Sequence, residues 1–180
     1  MSTRKNNIVD GAPLSNEPEI GQWLWAMQDS RLRTMEELEN VVPAMIDWRP
    51  PDDESSMGTV LYHIAAIEAD WLYEEVLVEP FPPEVMALFP HEIRDEQGQL
   101  NQIEGDSLET HLHRLEAVRD LLLDVYQSMD LAEYRRVRAL PLYDVTPEWV
   151  LHHLMQHEAE HRSQIGSLRD RAARDLQEHD

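Results

Sequence analysis

The sequence predicts an all-α protein: a four-helix bundle with a long connection between the second and third helices. Three observations predict it. Four stretches carry apolar residues at spacings of three and four, the period of a helix laid on a core. Glycine is scarce, 6 in 180 residues, while Leu, Glu, Ala, Arg and Met fill long stretches. Prolines gather between the apolar seams, where they end helices rather than interrupt them. A chain of 180 residues suits one domain with a full core.

Residues 1–18 read as a flexible lead-in, with two prolines, a glycine and no helical period, and the bundle is expected over 19–176. The first helix is expected from about 19 to 41 and ends before Pro43. Its seam is Ile20, Leu24, Met27, Arg31, Thr34 and Leu38, so Arg31 and Thr34 interrupt the apolar face. The linker 43–54 contains Pro50-Pro51, which forbids helix. The second helix, capped by Ser55 or Ser56, runs to about 78 with the seam Met57, Val60, Ile64, Ile67, Trp71 and Glu75. His63 flanks that seam.

The segment 79–106 holds four prolines and two glycines, and so long a connection reads as a lid, a cover or a crossover between bundle ends. Short helical pieces are expected at 84–89 and 92–97. The third helix, capped by Asp106 or Ser107, reaches about 129 along Leu108, His111, Leu115, Val118, Leu122, Val125 and Met129. A second connection, 130–145, has room for one turn at 131–135. The fourth helix starts sharply: Thr146 is an N-cap, Pro147 suits the first helical position, and Glu148 suits the positive end of the dipole. It runs to about 176.

Acidic residues number 36 against 15 basic, a formal charge of −21. Such a surface repels phosphate backbones and anionic lipid, which argues against nucleic-acid and membrane partners. There is no cysteine, which removes disulfides and thiolate metal sites. No apolar run approaches the ~18–20 residues of a membrane span, and no signal peptide is visible. A cytoplasmic protein is the expectation.

The chemistry concentrates in the fourth helix. Its apolar seam runs Val150, Leu154, then Ile165 and Leu168, and the positions between are taken by His157 and His161. These two rings lie roughly 40° apart on one face and about one turn (~6 Å) apart along the axis. Two histidines at i, i+4 can share one metal ion, and a third ligand must come from another helix. His63 is the candidate. It lies ~10 Å from the start of the second helix, and the pair lies ~15–21 Å from the start of the fourth. Parallel second and fourth helices would bring the three rings near one layer. Any other topology needs a compensating offset.

Arg31 and Thr34 belong to the same layer and are expected to face the site or a substrate, Arg31 suiting a substrate carboxylate. Three neutral imidazoles leave a coordination position open, as in catalytic zinc sites, and suit nickel and ferrous iron as well. Glu68 and Asp70 are candidates for a supporting acceptor or general base, though a solvated face explains both equally. His91, His111, His113, His152, His153 and His179 read as solvated or satisfied residues. His153 is the least safe of these, being four residues before His157. Glu158-x-x-His161 has di-iron carboxylate spacing but no second copy, so that site is rejected. Ser163 has no nucleophile context, and the five tryptophans read as core or interface packing.

Two phrases carry a resemblance. Asp47-Trp48-Arg49-Pro50 with Ser56-Met57-Gly58-Thr59-Val60-Leu61-Tyr62-His63 is similar to the second-helix signature of the DinB/YfiT-like metalloenzymes. His157-Glu158-Ala159-Glu160-His161-Arg162-Ser163-Gln164 resembles that family's His-x-x-x-His-Arg-x-Gln. The likeness spans about residues 19–170. Ser163 stands where the family often has glycine. The resemblance implies a four-helix bundle and a metal site with ligands His63, His157 and His161. It also implies a divalent metal (zinc, nickel or iron), a low-molecular-weight thiol in some members, and a small-molecule substrate. Dimers are common in the family, which leaves room for a homodimer.

Two functions follow as expectations: a metal-dependent enzyme, either a thiol-dependent transferase or a hydrolase, or a non-catalytic metal-binding stress-response bundle. A third reading is a bundle without metal.

Overall fold

In a computed structural model the described residues are 8–51 and 55–179, the last by its backbone alone. Four long helices form the bundle: α1 (Pro18–Glu37), α3 (Met57–Asp70), α5 (Leu108–Gln127) and α7 (Pro147–His179). Three one-turn helices join them: α2 (Pro43–Ile46), α4 (Pro83–Met86) and α6 (Leu131–Tyr134).

Local chemistry sets most boundaries. Pro18, Pro43, Pro83 and Pro147 each occupy a first helical turn. Ser56 and Ser107 cap α3 and α5, their hydroxyls accepting from the Thr59 and Thr110 amides at 3.1 Å. The first helix stops at Glu37 rather than near 41. The Leu38 amide turns back to the Met35 carbonyl, and Asn40 takes the left-handed conformation that asparagine tolerates. The second long helix ends near 78 as expected, but not as an α-helix throughout. It widens into a π-helical segment, Trp71–Leu77, and stops at Val78, which has φ 56°.

Of the two short helices expected in the long connection, only the first forms, as α4. At 92–97 the chain makes a tight turn instead. Asp95 Oδ1 accepts from the amides of Gln97 and Gln99, and Gly98 has φ 80°. A two-stranded ribbon, β1 (Arg138–Ala139) with β2 (Asp144–Val145), was not legible in 130–145. Residues 1–7 of the lead-in lie outside the described residues. Beyond them Leu14 packs on the core, and Gly11 meets Gly21 backbone to backbone.

Helix directions follow from side-chain partners. Arg162 reaches Ser30 and Arg169 reaches Glu37, so α7 runs parallel to α1. Gly58 lies against His111, and Glu68 binds Arg119, so α3 runs parallel to α5. Arg31 reaches the Leu115 carbonyl while Arg119 reaches that of Met27, so α1 and α5 are antiparallel. His63 meets His161 and Trp71 meets Trp149, so α3 and α7 are antiparallel too.

The parallel arrangement imagined for the second and fourth helices is therefore corrected. The bundle runs up-down-down-up. A parallel α3–α5 pair obliges the chain to travel back from one end of the bundle to the other, which accounts for the length of 79–106. The compensating offset comes from the 33 residues of α7, whose tail extends until Asp175 accepts from Trp48 Nε1.

The core has two main apolar clusters. Leu24, Leu72, Leu122 and Val150 belong to one, and Leu61, Ile64, Leu115 and Ile165 to the other. Charge lies between them.

Candidate metal centre

His63, on α3, is buried, and His157 and His161, on α7, are half-buried. One ligand atom from each ring lies within 4.8 Å of the other two, a group of three that can hold a metal ion. The Nε2 atoms of His63 and His157 face each other at 3.1 Å. Two nitrogens bound to one tetrahedral zinc at ~2.05 Å are separated by ~3.3 Å, so the spacing suits a shared cation. The ring of His161 meets the other two edge-on, at 4.9 and 4.5 Å between centroids. Its Nδ1 lies 3.0 Å from Gln164 Oε1. A carbonyl oxygen only accepts, so Nδ1 carries the proton and Nε2 keeps its lone pair for the cluster.

Electrostatics agree with a set of neutral donors. Burial, then the neighbouring His161 ring, lowers His63 to about 4. Burial and the adjacent imidazoles lower His157 to about 3. The crowding that keeps protons off these rings leaves their lone pairs available to one shared cation. Nδ1 of His63 is buried and has no hydrogen-bond partner among the described residues, while its Nε2 faces His157.

Beside the triad lies a charged layer that sequence reasoning missed. Arg119 Nε donates to Glu68 Oε1 at 2.6 Å, and its NH2 donates to Glu68 Oε2 and Glu158 Oε2. Arg31 Nε donates to Glu158 Oε1 at 2.7 Å, its NH2 to Glu68 Oε2 at 2.8 Å, and its NH1 to the Leu115 carbonyl. Two guanidinium groups and two carboxylates thus neutralise each other, one from each long helix. Burial pushes the Glu158 carboxyl up, but the attraction of Arg31 and Arg119 outweighs it and holds the group below its ordinary value.

Of the layer's four members only Arg31 stands in a seam; Glu68, Arg119 and Glu158 each follow a seam residue by one position, so the apolar period does not signal the layer. Each long helix places one charged residue at a core position in the same layer, and the four sum to zero.

The other two expected site residues, Arg31 and Thr34, lie in or beside this layer. Arg31 has given its donors to protein acceptors. Thr34 is fully buried, and its hydroxyl donates to the Ser30 carbonyl of its own helix. A buried guanidinium must be paired where it stands, as Arg31 is. Glu68 likewise has both oxygens occupied by arginine donors. Asp70 is half-buried, borders a recess with Phe81 and Phe89, and is raised by burial and by Glu74. Glu158 belongs to the ion layer, in keeping with the rejected di-iron reading.

Among the other histidines, His113 and His152 are exposed, and the His91 backbone brackets the Tyr62 hydroxyl. His111 is fully buried with Nε2 unpartnered, and the side chain of His179 lies outside the described residues. His153 is the departure. It stacks on Trp149 at 5.1 Å and touches Trp71 at 4.4 Å, forming with His157 a ladder of rings along α7.

A helical bundle with three convergent neutral imidazoles on two antiparallel helices defines a class of candidate metal proteins. The DinB superfamily model matches residues 26–165, from the middle of α1 to Ile165 of α7, and this chain belongs to that superfamily. A comparison with curated proteins gives no match. None of the helices among the described residues is long and apolar enough to cross a membrane.

Proposed function

We propose that this protein is a metal-dependent enzyme that acts on a small molecule, as a thiol-dependent transferase or a hydrolase. The observation that carries the reading is the 3.1 Å approach of two neutral Nε2 atoms, with a third imidazole held in register by Gln164. His63, His157 and His161 would be the ligands. A divalent cation of the zinc, nickel or iron kind supplies Lewis acidity, which lowers the pKa of an attacking water or thiol and polarises an acceptor group.

The residues supply the rest. His63 anchors the site from the buried side, while His157 and His161 leave it open toward solvent on the other, which favours a catalytic site over a closed structural one. The Arg31–Glu68–Arg119–Glu158 layer fixes α7 against the other three helices and so fixes the direction of both α7 rings.

The test has two steps. Metal content is measured on tag-free wild type and on His157→Ala. One equivalent in the wild type and a large loss in the variant is the expected result, and equal contents would overturn the reading. The loaded protein is then screened with low-molecular-weight thiols plus electrophiles, and with esters and amides. Turnover that disappears in His157→Ala supports the enzyme. Metal binding that raises the melting temperature with no turnover assigns the non-catalytic alternative.

A further inference from the structure

We propose that the cleft beside the ladder, walled by Trp71, Tyr143 and Trp149, is a binding site for an organic cation, the alkyl- or aryl-ammonium end of the molecule on which the metal centre acts. The assignment to a substrate rests on the function proposed above; the binding itself does not.

Geometry comes first. The cleft encloses about 570 Å³, the size of a small-molecule pocket, and its lining is largely aromatic and aliphatic, with Val137 and Val145 beside the three rings. Trp71 stands in the middle of the cluster, 5.3 Å from Trp149 and 6.4 Å from Tyr143 between centroids. Trp149 is 47% exposed and Tyr143 44%, so these large rings are left uncovered at the mouth. Trp149, His153, His157 and His161 follow one another at intervals of four. The cleft therefore lies about 12 Å along α7 from the metal ligand His157, within the span of one extended small molecule.

Charge then selects the ligand. Asp144 lines the cleft. Behind Tyr143 lies Glu75, 7% exposed, whose Oε1 accepts the tyrosine hydroxyl at 2.6 Å and whose Oε2 is buried with no hydrogen-bond partner. Burial, with the nearby carboxylates of Asp70 and Glu74, raises the Glu75 carboxyl against the opposing Tyr143 hydrogen bond, a penalty on its charge that a bound cation would relieve. Aromatic faces backed by a buried carboxylate attract a cation and disfavour an anion. The π-helical segment Trp71–Leu77, closed by Val78 in a left-handed conformation, is the element that presents both Trp71 and Glu75 to this place. Such wide turns recur at functional sites.

The test uses three probes of one shape: phenethylammonium, neutral 2-phenylethanol and anionic 3-phenylpropanoate. Binding to the full chain is read by tryptophan fluorescence and calorimetry, with metal removed and with zinc restored. The ammonium is expected to bind at least tenfold more tightly than the alcohol, and the anion more weakly than either. Trp149→Ala should weaken the ammonium at least fivefold. Glu75→Gln, which keeps the shape, should weaken it by a similar factor and leave the alcohol unchanged. Circular dichroism checks that both variants stay folded. Equal affinity for ammonium and alcohol, or an unchanged affinity in Trp149→Ala, overturns the proposal. Binding to metal-free protein keeps this outcome separate from the metal reading, which stands or falls on the metal content of His157→Ala.

Discussion

Replacing Arg119 with methionine removes the centre of the buried charged layer. Four hydrogen bonds go at once: two to Glu68, one to Glu158 and one to the Met27 carbonyl. Two buried carboxylates then share the single guanidinium of Arg31, so the interior carries one uncompensated negative charge. Breaking a buried ion pair from one side costs about 3–5 kcal/mol, because the abandoned charge cannot reach water. For a domain of this size that lowers Tm by ~6–20 °C.

The deficit has a signature in pH. Protonating one carboxylate restores neutrality, so the variant's folded-state carboxyl pKa is raised, and its loss relative to wild type shrinks as pH falls from 8 toward 5.5. Urea unfolding of wild type and Arg119→Met at both pH values reads this directly. Arg119→Met combined with Glu158→Gln returns the layer to zero charge and should recover part of the loss. A deficit below about 1 kcal/mol, the size of a surface pair, or one that does not change with pH, refutes the reasoning.

Three further outcomes follow from the same coordinates. Zinc at 100 times its dissociation constant should stabilise the protein by about 2.7 kcal/mol, a Tm rise of roughly 5–11 °C that a chelator reverses and His157→Ala lacks. Burial, assisted by the Arg114 guanidinium, lowers His111 to about 4 against an ordinary 6.5. Above 6.5 the ring is neutral in both states. As pH falls from there toward 4 the unfolded chain takes a proton that the fold resists, and stability drops by up to about 3 kcal/mol. In metal-free protein His111→Leu should flatten that acid limb by about this amount, and an unchanged slope between pH 7 and 4.5 counts against it. Ser56→Ala removes a buried cap whose hydroxyl both accepts the Thr59 amide and donates to the Thr59 hydroxyl, and should cost about 1–2 kcal/mol by denaturant titration.

What was legible in the residues is what depends on near neighbours along the chain. The period of the seams placed the four long helices, and the cap candidates Ser55 or Ser56, Asp106 or Ser107, and Thr146 before Pro147 marked three of their starts, because caps act over three or four positions. The i, i+4 spacing of His157 and His161 put both rings on one face for the same reason. Helix ends were less legible: the first helix stops at Glu37, short of the left-handed Asn40, and the second widens into a π-helical segment that its own seam does not signal.

Tertiary structure alone decided the directions of the helices, and with them everything that depends on which faces meet. Antiparallel α3 and α7 bring His63 to the pair on α7 and Trp71 to Trp149, contacts that no local period encodes. The same meeting of faces makes Arg31 one quarter of an internal charge balance. A guanidinium at a core position shows only that it must find partners. Which carboxylates reach it is settled by the register of four helices against one another, fixed by the whole core rather than by any one segment.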